Sequence, residues 1–159
     1  IFACQDFFSS DTDREMNVWE SGVVNSSSAE VWGVLRSLEF KYDPKVDYTR
    51  VEGSGKPGEV GKIRIVKYRD GTTRKIKLIE SDDDKKVLKW RMDDAEEFKE
   101  EPCEYCLSLK RITINDTTFV EFTAQFAVEA GQLSAKVKER AQQLGKTIFQ
   151  SLQHMFARR

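Results

Sequence analysis

The stretch that most constrains this chain is its last long one, Gln132 to Phe156, QLSAKVKERAQQLGKTIFQSLQHMF. Leu133, Val137, Ala141, Leu144, Ile148, Leu152 and Met155 recur there at steps of three and four. At ~100° per residue they share one stripe, so the segment reads as an amphipathic helix. At ~1.5 Å per residue it is long enough to cross a small domain. Such a helix must bury its stripe against something. Nothing helical of similar length precedes it, and what does precede it reads as strand after strand.

Met16–Val24 (MNVWESGVV) has the character of a first strand. Ser27 and Glu30 then form a capping box, followed by Val31, Val34, Leu35 and Leu38 at helical spacing, so a short helix is expected over 28–38. Asp43-Pro44 suggests a further brief turn or helix start. A second strand is expected from Val46 to Glu52. GSGKPGEVG, 53–61, packs four glycines and a proline into a tight loop. Lys62–Arg69 and Thr72–Glu80 flank Asp70-Gly71, a strong hairpin signal. Lys86–Met92 alternates, and an acidic loop follows over 93–101. Cys103–Ile114 is a long strand whose apolar phase passes from Tyr105, Leu107 and Leu109 to Ile112 and Ile114. That slip predicts a β-bulge near Lys110-Arg111. Thr118–Val128 alternates cleanly after Asn115-Asp116.

These elements define an α+β chain. Its expected core is a curved antiparallel sheet of about seven strands gripping the long C-terminal helix, with one or two short helices after strand 1. Residues 1–14 carry no period and are expected to be an N-terminal arm, leaving 15–159 as a single domain.

Composition narrows the function. A net charge of −1 argues against a general nucleic-acid binder. Three cysteines cannot pair off completely, which favours a reducing, cytoplasmic setting. No apolar run approaches the ~20 residues of a membrane span. Ile1-Phe2-Ala3-Cys4 resembles the end of a lipoprotein signal but has no apolar segment ahead of it. Lys62, Arg64, Lys67, Arg69, Arg74, Lys75 and Lys77 concentrate on one hairpin. They read as a solvated outer sheet face, with steering toward an anionic lipid headgroup (a transient membrane-surface contact) or an acidic partner as the alternative.

The candidates for chemistry are few. The glycine loop lacks the Lys-Ser/Thr pair and following helix of a phosphate cradle, so it reads as a hairpin loop at a cavity mouth. Cys103 and Cys106 lie three apart on a strand and therefore face opposite sides, which excludes an easy shared metal. His154, the only histidine, falls off the apolar stripe and reads as solvated. Glu80, Arg91, Lys67 and Tyr105 are polar groups placed where they could reach a cavity and orient a ligand. No metal, cofactor or catalytic residue is expected.

Three segments carry a resemblance. SSSAEVWGVLRSL after strand one, VEGSGKPGEVGKIRIV, and DTTFVEFTAQFAVE running into the terminal helix are together similar to the START-like, or helix-grip, superfamily. The likeness is to its birch-pollen-allergen (Bet v 1-like) type and its polyketide cyclase/dehydrase-like branch, and it covers residues 16–156. It implies a hydrophobic cavity between sheet and terminal helix that binds or transports a lipid, sterol, polyketide or similar molecule; a monomer is expected. Members share no catalytic set, so none is carried over. Alternation supplies the expected lining: Ile63, Ile65, Ile76, Leu78, Trp90, Tyr105, Leu107 and Phe122, with Leu144 and Ile148 from the helix. Gly55, Gly58, Val60 and Gly61 are expected at the mouth. An enzyme of the cyclase/dehydratase type, and a co-chaperone-like interaction domain, are the alternative functions.

Overall fold

The computed structural model describes residues 17–56, 58–93, 104–126 and 135–157. The order is β1 (Asn17–Val24), α1 (Ser28–Leu35), β2 (Val46–Val51), β3 (Ile63–Tyr68), β4 (Thr73–Asp82), β5 (Val87–Met92), β6 (Glu104–Ile112), β7 (Thr117–Gln125) and α2 (Ala135–Phe156). The strands form one antiparallel sheet in the order β1-β7-β6-β5-β4-β3-β2. From β2 to β7 every neighbour in space is a neighbour in sequence. Only the β1–β2 connection spans the sheet, and it carries α1. The architecture is α+β, as the alternating segments and the terminal helical stripe imply.

Ser27 caps α1, its hydroxyl accepting from the Glu30 N–H at 3.3 Å. The helix is shorter than its apolar spacing suggests. It closes where Arg36 N–H reaches Trp32 O at 2.8 Å, and Leu38 then takes a φ of 55°, which ends helical geometry. Leu38 still enters the core, but from the loop.

The bulge expected at Lys110-Arg111 is absent. β6 and β7 pair without interruption from Glu104↔Gln125 to Ile112↔Thr117. Ile112 simply lies on the face away from the core, and Ile114 belongs to the exposed turn. The register shifts that do occur fall between Val46 and Tyr48 of β2 and between Leu78 and Glu80 of β4.

The β3–β4 hairpin departs from expectation in a way that matters for the site. A two-residue Asp70-Gly71 loop would pair Ile65 with Ile76 and turn both to the core. The loop instead comprises Arg69, Asp70 and Gly71, closed by Tyr68 N–H on Thr72 O at 2.9 Å, with Gly71 at φ 94°. The extra residue moves the register by one, and a shift by one exchanges the two faces of a strand. Arg64 therefore pairs with Ile76, and Ile65 with Lys75. Ile63 and Ile65 lie on the face opposite the core, Ile65 buried between the cross-strand neighbours Arg50 and Lys75. Arg64, expected in solvent with the other cations of the hairpin, turns inward.

Inward residues of the remaining strands form one core: Ile76 and Leu78, Leu88 and Trp90, Tyr105 and Leu107, Phe122 and Ala124. α2 packs chiefly over β1 and secondarily over β7, at one edge of the sheet. Its buried face is Ala141, Gly145, Ile148, Phe149, Leu152 and Phe156, with Leu144 half-buried beside it. Met155, assigned to the stripe by spacing, is exposed, because Phe149 and Phe156 centre the face one position away. The middle of the sheet is closed by α1 and by Leu38, Phe40 and Tyr42 of the β1–β2 connection, with Val46 at the start of β2.

Candidate functional site

Aromatic rings run across the inner face in a row. Phe122 of β7 lies 5.9 Å from Tyr105 of β6, measured between ring centroids. Tyr105 stacks on Trp90 of β5 at 5.4 Å and 17°. Phe40 meets Trp90 edge-on at 6.3 Å and 80°, and Tyr42 follows at 6.1 Å. Offset and edge-to-face contacts at these distances are the favoured ones for aromatic pairs. Trp90 and Tyr105 are direct cross-strand partners, while Phe122, opposite Leu107, meets Tyr105 on the diagonal. The row thus links α2 at one edge to the β1–β2 connection near the other.

At the Phe40 end lies a cleft of about 630 Å³. It is lined by the 39–44 loop and by β2, an edge strand of the sheet, together with Gly55, Arg64 of β3 and Arg69. Its charged walls are largely closed on themselves. Glu39 pairs with Lys41 at 2.9 Å, Arg69 reaches Asp47 at 3.6 Å and donates to Pro44 O at 3.0 Å, and Asp43 accepts from the Lys45 N–H at 2.9 Å. Leu38 and Phe40 both hold φ at 55°, an uncommon backbone state for side chains of that bulk. Burial pushes the Tyr42 phenol well above its ordinary range, and the charge of Asp43 adds to the effect.

The expected lining residues are therefore divided. Ile76, Leu78, Trp90, Tyr105, Leu107, Phe122 and Ile148 share the core with half-buried Leu144 packed against it, whereas Ile63 and Ile65 stand outside it. Of the glycine loop, Gly55 borders the cleft, Gly58 sits over the end of α1 (a Cβ there would be 3.5 Å from Ser37 Cα), and Val60 and Gly61 are exposed. Cys106 is buried on the face away from the core, and Cys103 lies outside the described residues, as do the acidic loop over 94–101 and the arm at 1–14. His154 is exposed. Phe40 and Arg64 were not legible as site residues. The only sequence signal for Arg64 was that it shares its phase with Val66 and Tyr68.

The cleft and the row sit within an architecture that fits the helix-grip class: an open antiparallel sheet, a short helix after its first strand and a long helix at the end. Solved structures of the same shape include a protein from Nitrosospira multiformis, 24% identical with a TM-score of 0.71, covering 90% of this chain and 99% of that one. XoxI of Bacillus cereus is 19% identical with a TM-score of 0.66 over 89% of this chain and 95% of its own. A major latex-like protein of Panax ginseng is 12% identical with a TM-score of 0.61 over 88% and 96%. No protein-family model and no curated protein sequence matches the chain. Neither described helix is long and apolar enough to cross a membrane.

Proposed function

We propose that the protein binds and carries a hydrophobic small molecule, admitted through the cleft beside Phe40 and held on the inner face of the sheet. The observation that carries this reading is the junction of the two features: a 630 Å³ cleft separated from Trp90 by the ring of Phe40. That volume is in the range of small-molecule sites. Leu38 and Phe40 stand in a backbone region that costs roughly 1–3 kcal/mol per non-glycine residue, and such strain gathers in segments that move when a ligand enters. Swinging Phe40 aside would open the cleft onto Trp90 and Tyr105.

In this reading Trp90, Tyr105, Leu107 and Phe122 are the floor, Ile76 and Leu78 one wall, and Leu144 and Ile148 the far end under the helix. Gly55, Gly58, Val60 and Gly61 belong to the rim. Ile63 and Ile65 have no part in it. The helix-grip resemblance supports the same reading, and no catalytic residue is assigned.

Titration with Nile red, a neutral apolar fluorophore, tests it. Uptake should raise and blue-shift the dye emission and quench tryptophan emission. Phe40→Ala should increase the affinity or the rate of uptake. A wild-type protein and a Phe40→Ala variant that both leave the dye in water would overturn the carrier reading.

A further inference from the structure

Arg64 is 5% exposed, on the inner face of β3, between Val51 of β2 and Ile76 of β4. It lines the cleft together with Thr49 and Val51 of β2. Among the described residues its one hydrogen bond is from Nη1 to Thr49 Oγ1, at 3.2 Å, and no carboxylate lies within ion-pair distance. Glu39 is the acid whose charge acts on it, and Glu39 is itself paired with Lys41. Thr49 is itself committed to the Glu39 carbonyl at 3.4 Å. Most of the planar fork of N–H donors that defines an arginine is thus unused.

A buried cation normally sits in a pair or a full set of hydrogen bonds, because desolvation without them is costly. Burial lowers the Arg64 pKa, yet a guanidinium stays charged throughout the accessible pH range. The fold therefore holds a partly desolvated positive charge, most of its donors unused by the protein, in the lining of a small-molecule-sized opening. Of the other charges lining that opening, Glu39 is paired with Lys41 and Asp47 with Arg69, Asp43 accepts from the Lys45 N–H, and Arg50 adds a further positive charge. An apolar ligand alone would leave the Arg64 charge uncompensated. A ligand that carries an oxyanion would offset it, and a fork of donors suits a carboxylate or phosphate in two-point contact.

We propose that Arg64 is the recognition residue for an oxyanion head group, a carboxylate or a phosphate monoester, on an otherwise apolar ligand whose body lies toward Phe40 and Trp90. The inference rests on the binding reading above and names the ligand class within it.

The test compares decanoate, decyl phosphate and decanol by isothermal titration to the full chain, with wild type, Arg64→Met and Arg64→Lys. Wild type should bind at least one of the two anions about tenfold or more tightly than decanol, the scale of a charge-assisted hydrogen bond. The better anion shows which head group is preferred. Arg64→Met should lose that preference while keeping decanol binding. Its ligand-free melting temperature should be unchanged or higher, since an unpaired buried charge is gone. Arg64→Lys should retain part of the preference, which keeps the test open if Arg64→Met does not fold. Equal binding of anions and decanol by wild type would overturn the role of Arg64 and leave the carrier reading standing. Binding of none of the three overturns both.

Discussion

A Cβ placed on Gly145 would stand 2.7 Å from Cδ2 of Phe122, closer than real Cβ contacts come. It would also meet Glu20 Cγ at 3.0 Å. The glycine lies on the buried face of α2, where its missing side chain lets the helix settle onto β1 and β7. Phe122 cannot withdraw, since it is fully buried and its other side faces Tyr105. In an open helix, Gly→Ala gains ~1 kcal/mol. Overpacking a core costs typically 1–3 kcal/mol and prevails where the neighbour is fixed. Gly145→Ala should therefore lower the denaturant midpoint. Gly33 of α1 is the control. Its Cβ would meet nothing within 4 Å, so Gly33→Ala should raise the midpoint. Equal gains at both positions would mean that α2 can shift to accept the methyl group.

Asp83 ties α1 and its C-cap Arg36 to the β4–β5 turn. Its Oδ1 accepts from Trp32 Nε1 at 2.8 Å and from Arg36 Nε at 3.0 Å, while Oδ2 accepts from Arg36 Nη2 at 3.2 Å. The Arg36 hydrogen bonds, then that of Trp32, hold its carboxyl below the ordinary range. The folded state thus favours the ionised form more than the unfolded chain does, where the value is ~3.9. The resulting stability is present above that value and lost as pH falls through the lower folded one. Asp83→Asn should lower the melting temperature at neutral pH and flatten the acid limb of stability against pH. Parallel acid limbs for wild type and variant would show that the clamp contributes nothing measurable.

Tyr42 gives the opposite limb. Its phenol is buried beside Asp43 and Tyr68 and held protonated far into the alkaline range. An unfolded tyrosine loses its proton near pH ~10. Stability from this group is therefore full below that value and declines as pH rises above it. Tyr42→Phe should lose little stability at pH 7 and show a shallower alkaline decline, read from denaturant midpoints at successive pH values. A steeper decline in the variant would place the linked proton on another group.

The order and type of the elements were legible in the residue pattern. Helical and strand periods are local properties, so Ala141, Ile148 and Leu152 on one helix face could be read directly. Within β5, β6 and β7 the inward phase was also legible, because Trp90, Tyr105, Leu107 and Phe122 alternate with polar or smaller residues. The facing of β3 was settled by pairing with its neighbours. IRIVKY offers apolar residues in both phases, and the choice between them lay in the length of the Arg69-Asp70-Gly71 loop, which sets hydrogen-bond register. That single residue of loop put Ile63 and Ile65 outside and buried Arg64 in the lining of the cleft. Tertiary packing likewise seated α2 over one edge of the sheet and left the middle to Phe40. Which strand a helix covers, and which loop residue reaches Trp90 from fifty positions away, depend on contacts between distant parts of the chain, and a local pattern carries no record of them.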